Sequence, residues 1–289
     1  MREILQGAID MHVHAGPSVA KREVDAGEMV KEAVQYGYKA FVVKDHYFPT
    51  MMSAQLVEKH LGSDKIRVFG GIALNNSVGG INVKAVDAAY SMGAKIVWMP
   101  TVSASNHIKE HKGHFVGSGN SAVSENPITY VDEKGNLVEE VKELLQYIAE
   151  RPDLILATGH GSAAEIDVLI FAAVAAGVQK IMVNHPFYLI GASISQIAKW
   201  GKMGAYIELN ACVFPPSHHG VVPFATAQKV LENVPADRIV LDSDFGQKGN
   251  GSPVEGLYTF IETLMKDYEV PEAQINRMLK ETPAKLLGL

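Results

Sequence analysis

Eight short apolar runs recur along the 289-residue chain, and their number and spacing constrain the fold more than any other feature. Most of these runs are apolar throughout, which is typical of parallel strands buried on both faces. Stretches with helical periodicity separate them. Eight alternations of strand and helix predict an α/β protein, a (β/α)8 TIM barrel. The predicted strands are Ala8–Val13, Ala40–Lys44, Ile66–Leu74, Lys95–Met99, Leu154–Thr158, Lys180–Asn184, Ala205–Leu209 and Arg238–Asp242.

The predicted helices lie between these strands, and several are followed by a glycine at the C-cap position. No glycine-rich phosphate loop follows the first strand, so a doubly wound open sheet is the less favoured arrangement. The chain has neither an internal repeat nor a linker composition, and we expect residues 1–289 to form a single domain. Predicted helices include Gly27–Tyr36, Val83–Met92, Leu137–Glu150, Ala163–Ala176 and Ser193–Lys202.

Two connections are longer than the usual turn between a strand and the next helix. Residues 101–136 form a long insertion after strand 4, with a predicted hairpin around the turn at 132–135. Residues 213–222 follow strand 7. In a barrel both segments lie over the carboxyl ends of the strands, where active sites are built. Their histidines either close over a substrate or, in the interpretation that we favour, belong to solvated polar loops. They are His107, His111, His114, His218 and His219.

Composition and charge narrow the class of protein. Hydrophobic residues make up 47% of the chain and charged residues 20%, as in soluble globular proteins. The 26 basic and 32 acidic residues give a net charge of −6 without a basic cluster, which argues against nucleic-acid binding. The single cysteine, Cys212, excludes an internal disulfide framework, and the longest apolar run, Val168–Val178, is too short to span a membrane. We therefore expect a cytoplasmic protein with no membrane partner.

Polar residues stand at the ends of several predicted strands. Strand 1 contains Asp10, His12 and His14, which share one face if the strand alternates regularly. His12 and His14 can then reach one metal ion together. His160 and His185 follow strands 5 and 6, each just past an apolar run. Because the carboxyl ends of the strands meet at one end of a barrel, we expect the four imidazoles to converge there.

Strand 8 adds carboxylates to the same end of the barrel. Asp242 and Asp244 share a face, and we assign Asp244, nearer the carboxyl end, to the metal and Asp242 to a deeper position. Burying these groups together without an ion would carry a large desolvation cost. The pattern predicts a divalent-metal site, and its nitrogen-rich donors favour zinc. The predicted ligands are His12, His14, His160, His185 and Asp244.

This motif set resembles the metal-dependent amidohydrolase superfamily, as does the carboxyl-terminal segment Glu281–Leu289, which reads Glu-Thr-Pro-Ala-Lys-Leu-Leu-Gly-Leu. The resemblance implies that His12 and His14 bind the first metal. It implies that His160 and His185 bind a second metal or orient the substrate. The resemblance also makes Asp244 a metal contact that accepts a proton from water.

The end of strand 4 departs from the superfamily pattern. Binuclear members usually carry a carboxylated lysine or a glutamate there, but this strand ends Val97-Trp-Met-Pro-Thr101. The site therefore holds either one ion, or two ions that are bridged by a residue from another strand. Lys44 at the end of strand 2 is a possible source of that bridge. The simpler interpretation of Lys44 is a catalytic counter-charge to a buried carboxylate or a substrate anion.

Strand 2 also supports a rival family. Its end, Val43-Lys-Asp-His46, resembles the polymerase-and-histidinol-phosphatase (PHP) phosphoesterases, in which His46 would be a metal ligand. That family places a glutamate at strand 3, where this chain has Ala73-Leu-Asn-Asn76, and a later Asp-x-His, where Phe245 and Gly246 follow Asp244. The PHP family is therefore the second interpretation.

The function expected from the sequence is hydrolysis of a small-molecule amide, lactone or ester by a metal-activated water. Asp244 and Lys44 are the expected catalytic residues. His46, Glu208 and Asn210 are expected to contact the substrate, since Glu208 and Asn210 face one way at the end of strand 7. The alternatives are a single-metal decarboxylase of the same superfamily and a PHP-like phosphoesterase. A homo-oligomer is possible.

Overall fold

The computed structural model describes residues 2–111, 123–217 and 220–289. Within these ranges, eight parallel strands form one sheet in the order in which they occur along the chain. All eight coincide with the predicted apolar runs to within two residues at either end. The strands are β1 Ile9–His14, β2 Ala40–Lys44, β3 Arg67–Ala73, β4 Ile96–Trp98, β5 Ile155–Ala157, β6 Ile181–Val183, β7 Tyr206–Asn210 and β8 Ile239–Asp242.

The sheet closes on itself between β1 and the end of β8. The backbone N–H of Asp244 donates to the carbonyl oxygen of His12 at 2.8 Å, and the N–H of His14 donates to the carbonyl oxygen of Phe245 at 2.9 Å. With the bridge between Val13 and Phe245, these bonds join the end of β1 to the segment after β8, and the barrel is nearly closed. The predicted (β/α)8 barrel is confirmed.

Helices connect the strands and cover the outside of the sheet. Three of them begin with a capping box, at Asp25 and Glu28, at Ser162 and Glu165, and at Ser193 and Gln196. The α-helices are α1 Ala26–Gln35, α2 Met51–Leu61, α3 Val83–Ser91, α4 Ser105–Glu110, α5 Glu139–Ala149, α6 Ala163–Ala176, α7 Ile194–Lys202, α8 Phe224–Asn233, α9 Pro253–Asp267, α10 Glu272–Asn276 and α11 Thr282–Leu287. Among the described residues, no helix has the length and hydropathy needed to cross a bilayer.

Two apolar cores follow from the alternation of strand side chains. The outer core lies between sheet and helices, and the inner core fills the barrel with residues such as Ile96, Trp98 and Val240. Leu286 and Leu287 of α11 join the inner core. Continuing the alternation past the inner core places polar side chains at the carboxyl ends of the strands, which is where the candidate site lies.

Strand β1 departs from the regular alternation assumed above. Its register against β2 shifts between Asp10 and Val13. Met11 consequently belongs to the inner core and Val13 to the outer one. The carboxylate of Asp10 accepts from the backbone N–H of His12 and of Ser243, so the prediction that Asp10 shares the ligand face is wrong.

The predicted hairpin in the insertion after β4 is confirmed, with Val131 paired antiparallel to Leu137. The side chain of Tyr130 in this hairpin is fully buried. Its hydroxyl donates towards the carbonyl oxygen of Thr158, at 2.9 Å, and accepts from the backbone N–H of Gly161, at 2.9 Å. The described part of the insertion is therefore anchored to the end of β5.

Candidate metal centre

Three predicted ligands meet at the seam of the barrel. Asp244 Oδ1 lies 3.1 Å from His12 Nε2 and 3.0 Å from His14 Nε2. The two imidazoles are buried, and the side chain of Asp244 is 10% exposed. Zinc bonds to such atoms are about 2.0–2.2 Å long, so neighbouring ligands of one ion stand about 3 Å apart. The three donor atoms fit one divalent ion.

The protonation states of these groups suit metal binding. Burial lowers the pKa of His14 well below its usual value, with a further contribution from the positive charge of Arg22. Burial alone would raise the pKa of Asp244, but His12 and His14 hold that pKa well below its usual value. A neutral imidazole and an ionised carboxylate are the forms that bind a cation.

The second nitrogen of His12 is directed at polar groups deeper in the barrel. His12 Nδ1 lies 3.4 Å from Glu208 Oε2, which also accepts from the amides of Asn184, at 2.9 Å, and Asn210, at 3.1 Å. A carboxylate behind a ligating imidazole fixes its orientation and tautomer. Glu208 and Asn210 are fully buried and position His12, and their contact with substrate stays a prediction.

Asp242 lies deeper in the barrel than Asp244, in the layer of Glu208 and Asn210. Asn210 Nδ2 donates to Asp242 Oδ1 at 2.6 Å. Burial and the nearby carboxylates of Glu208 and Asp10 raise the pKa of Asp242 well above its usual value. Asp242, Glu208 and His12 form the other group in the described residues that could hold an ion. That group shares His12 with the first.

Lys44 points into the barrel from the end of β2. Its Nζ lies 2.9 Å from His12 Nε2 and 5.6 Å from the centre of the Trp98 ring. Burial lowers the pKa of Lys44, whereas the carboxylates of Asp244 and Glu208 act in the opposite direction. The buried Lys44 side chain therefore stands beside His12, and its role as a counter-charge stays a prediction.

His46 lies at the mouth next to His14, with the two ring centres 4.9 Å apart. His46 Nδ1 is 2.9 Å from Thr101 Oγ1, and the amide of Asn75 donates to that hydroxyl, at 2.6 Å, and to the His46 carbonyl oxygen, at 2.7 Å. Burial lowers the pKa of His46 well below its usual value. Asn75 and Thr101 thus orient His46, a role that the sequence analysis missed, although both residues directly follow strands.

His160 and His185 occupy the opposite side of the mouth, 4.9 Å apart between ring centres. Burial lowers the pKa of His185 to about 4 and that of His160 well below its usual value. His160 Nε2 and His185 Nδ1 have no hydrogen-bond partner in the described residues. The His185 ring is 6.4 Å from that of His12, so these imidazoles border the three-ligand cluster without joining it.

Two of the predicted ligands have unusual backbone conformations. His185 has φ of 22° and Asp244 has φ of 50°, in the left-handed region that residues other than glycine rarely adopt. Such a conformation costs about 1–3 kcal/mol, and it persists where surrounding structure imposes it. At Asp244 the seam hydrogen bond to His12 imposes it, which directs the carboxylate towards the two histidines.

The insertion contributes a histidine to the site, and here the solvated-loop prediction is wrong. His107 on α4 is 5% exposed, and its Nδ1 lies 2.9 Å from His160 Nδ1 with the two rings stacked. His111, one turn later, is partly buried. The prediction missed this because helix α4 was not expected inside the insertion. His114, His218 and His219 lie outside the described residues.

Several solved structures with a similar fold carry the names of enzymes. A candidate 2-pyrone-4,6-dicarboxylic acid hydrolase from Pseudomonas putida has a TM-score of 0.61 and 13% identity, covering 98% of this chain and 97% of that one. A 2,6-dihydroxybenzoate decarboxylase from Rhizobium has a TM-score of 0.59 and 10% identity, with 98% and 99% covered. A variant organophosphorus hydrolase from Deinococcus radiodurans has a TM-score of 0.58 and 14% identity, with 99% and 94% covered. These likenesses support the fold.

Sequence comparisons lead to a family without an assigned activity. No protein with a curated description matches this sequence. The model of a family of unknown function, DUF6282, matches residues 7–208, which include β1 to β6 and four of the five predicted metal ligands. Because this match covers well over half of the chain, the protein belongs to the DUF6282 family.

Proposed function

We propose that this protein is a metal-dependent hydrolase of small molecules, related in mechanism to the amidohydrolase superfamily. The observation that carries the proposal is the convergence of His12 Nε2 and His14 Nε2 on one oxygen of Asp244, at 3.1 and 3.0 Å, at the carboxyl end of a TIM barrel. Amide, lactone and ester bonds are the substrates that suit this site.

Zinc, which the nitrogen-rich donor set favours, supplies a Lewis acid and lowers the pKa of water. Asp244 is ionised at neutral pH because the two histidines lower its pKa, so its carboxylate accepts a proton from the attacking water. Lys44 lies next to His12 and stabilises negative charge that develops on the substrate oxygen. His185 lies across the mouth and orients the substrate.

A single ion is the form of the site that we propose. The segment that follows β4, from Met99 to Thr101, brings no carboxylate or lysine to the mouth. Lys44 Nζ lies 2.9 Å from His12 Nε2, and we propose that it acts as a charge beside the ligands and not as a bridge between two ions. The donors therefore favour one ion at His12, His14 and Asp244.

A decarboxylase is the second candidate. The same absence of a bridging residue after β4 suits single-metal chemistry, and the buried Lys44 would attract a substrate carboxylate. The structural relatives include both a hydrolase and a decarboxylase named for carboxylic acids. Their sequence identity to this chain is too low to choose between the two reactions.

Metal analysis of protein purified without a chelator tests the site itself. We expect about one equivalent of zinc or another divalent ion per chain in the wild type and none in His14→Ala. His60→Ala, which removes an exposed histidine on α2, is the matched control and should retain wild-type metal. Two equivalents in the wild type would contradict the single-ion site, and full metal in His14→Ala would contradict the ligand assignment.

Activity assays then separate the reactions. The metal-loaded protein is offered small amides, lactones, esters, phosphoesters and aromatic acids, with product analysis by mass spectrometry and detection of carbon dioxide. Hydrolysis of a carbon–oxygen or carbon–nitrogen bond, lost in Asp244→Asn, is the expected outcome. Release of carbon dioxide would favour the decarboxylase, and hydrolysis confined to phosphoesters would favour the PHP-like alternative.

A further inference from the structure

A buried ion pair lies beside the metal ligands, outside the groups considered so far. Arg22 Nη2 donates to Asp45 Oδ2 at 3.2 Å, and each side chain is 3% exposed. Arg22 is in the connection after β1, and Asp45 stands between Lys44 and His46. Neither residue was singled out by the sequence, since a lone arginine in a connecting segment is usually a surface residue.

The two partners differ in how well their hydrogen bonds are satisfied. Asp45 accepts from Arg22 and, through Oδ1, from the backbone N–H groups of Tyr47, at 2.8 Å, and Phe48, at 3.1 Å. Arg22 Nε and Nη1 have no partner within the described ranges, although they are buried. A buried donor without an acceptor is costly, and a charged one more so. The guanidinium therefore carries donors that a ligand can satisfy.

The position of Arg22 is fixed at the mouth of the barrel. Its backbone pairs with that of Gln247, and the N–H of Glu23 donates to the carbonyl oxygen of Gly246 at 2.8 Å. These contacts tie the connection after β1 to the segment that follows Asp244. Asp45, which Arg22 contacts at 3.2 Å, stands between Lys44 and His46 in the chain, so the guanidinium reaches the end of β2.

We propose that Arg22 binds a carboxylate group of the substrate, through its free Nε and Nη1 donors, at the edge of the metal centre. This inference rests on the proposed function, because it assumes that the substrate enters this mouth. It assigns the enzyme a substrate class: small organic acids, held by the carboxylate while the scissile bond faces Asp244.

Several observations favour a carboxylate over a phosphate. Planar guanidinium donors match both anions. Asp45 and Asp244 also act on Arg22, however, and their negative charges would repel a phosphate dianion more than a carboxylate monoanion. Ala20 and Tyr47, each two residues from one member of the pair, form a small buried apolar cluster with Val102, and we infer that the hydrocarbon part of an acid packs near it.

The test uses three probes and metal-free protein. Benzoate is compared with benzamide, its neutral counterpart of the same shape, and with inorganic phosphate. Removing metal with phenanthroline, a neutral chelator, prevents benzoate from binding to an ion and keeps chelator carboxylates away from Arg22. Binding is followed by calorimetry and by protein NMR shifts. The measurement needs no turnover, so it stands even if the proposed hydrolase activity is not found.

The matched variants separate ligand binding from structure. Arg22→Gln alone would leave Asp45 buried without its counter-charge and could unfold the connection. The double variant Arg22→Gln/Asp45→Asn removes both charges while preserving shape, and circular dichroism verifies its fold. Arg67→Gln, which removes a half-exposed arginine paired with Glu58, is the control.

We expect benzoate to bind metal-free wild type and Arg67→Gln, benzamide to bind neither, and the double variant to lose about 10- to 100-fold in benzoate affinity, as for a charged hydrogen bond. Equal affinity of wild type and double variant for benzoate would overturn the proposal. So would benzoate binding that occurs only in the metal-loaded protein. Phosphate binding tighter than benzoate and dependent on Arg22 would overturn the carboxylate assignment.

Discussion

The two halves of the barrel mouth present the same residue type in opposite electrostatic settings. In the half formed by β1 and β8, His12 and His14 stand about 3 Å from the carboxylate of Asp244. In the half formed by β5 and β6, His160 and His185 face each other at 4.9 Å between ring centres. Neither His160 nor His185 belongs to a described group of three side chains able to hold an ion.

The role of a histidine at a strand end depends on the charge beside it. A cation that leaves water needs negative charge in the protein to offset its desolvation, and Asp244 supplies that charge in the β1–β8 half. Neutral imidazoles alone offer donors and acceptors suited to a polar substrate. We therefore place the ion in the β1–β8 half and substrate contacts in the β5–β6 half.

The largest effect is expected when the β1–β8 half loses an imidazole. His12→Ala and His14→Ala should each lower metal affinity by more than about 100-fold, because even a group that only orients a ligand contributes about 10- to 100-fold. Activity should disappear with the metal, while circular dichroism remains that of a folded barrel. Metal analysis after dialysis measures the loss, and a variant with wild-type metal content would place the ion elsewhere.

Asp244→Asn should leave metal bound but reduce turnover by about 10²- to 10⁴-fold, the usual loss for a general base. The amide keeps an oxygen for the ion but does not accept a proton at neutral pH. Rates on the best substrate of the panel, at matched metal content, measure this effect. Asp242→Asn is the control, because Asp242 lies one layer deeper. A greater loss of turnover in Asp242→Asn than in Asp244→Asn would contradict the assignment of the proton transfer to Asp244.

The group behind His12 should have an intermediate effect. Glu208→Gln keeps the size of the side chain but weakens the hydrogen bonding that orients His12, so metal affinity should fall by about 10- to 100-fold. Competition with a zinc indicator measures the affinity. Glu262→Gln, which alters a partly exposed carboxylate on α9, should behave like wild type. Unchanged metal affinity in Glu208→Gln would contradict this role of Glu208. It would indicate that Asn210 and Lys44 orient His12 instead.

The opposite half should respond differently. His160→Ala is expected to change metal affinity by less than about tenfold, which is the smallest effect typical of a group that orients a ligand. The reason is that His160 lies outside the three-ligand cluster. Substrate affinity should weaken instead, seen as a higher KM. Loss of metal in His160→Ala would contradict the placement of the ion in the β1–β8 half alone. It would indicate a second ion.

The smallest expected effect concerns the anchor of the insertion. Tyr130→Phe should lower the free energy of unfolding by about 1–3 kcal/mol, since the buried N–H of Gly161 loses its acceptor. Urea denaturation measures the change. Tyr90→Phe removes a partly exposed hydrogen bond to Asp153 and should cost less. Wild-type stability in Tyr130→Phe would show that packing, and not the Tyr130 hydroxyl, holds the insertion.

The sequence predicted the barrel and its seam residues because both depend on local patterns. Apolar runs marked all eight strands, and residues just past them, such as His14 and Lys44, lie at the mouth. Asp242 ends β8 and Asp244 lies two residues beyond it, where a left-handed backbone and the seam hydrogen bond, which the pattern of a single strand does not encode, direct its carboxylate to the two histidines. The position of Asp10 was predicted incorrectly because the register shift in β1 comes from pairing with another strand, which a single strand's pattern does not encode.

Features that depend on distant partners were not predictable. His107 was interpreted as a loop residue, whereas the fold packs it against His160 and buries it. Asn75 and Thr101 come from different connections and meet through the fold. Arg22 carries no motif at all. In each case the interaction joins segments far apart in sequence, whereas strand and helix periodicity describes neighbours.

The seam between β1 and β8 also sets the order in which the protein matures. Histidines near the start of the chain and an aspartate near its end are joined by the backbone hydrogen bonds that close the barrel. The end of β8 must therefore dock on β1 before the three donors meet. Under the proposed function, metal uptake follows this docking, and we expect the metal content of a preparation to count the chains whose barrels have closed.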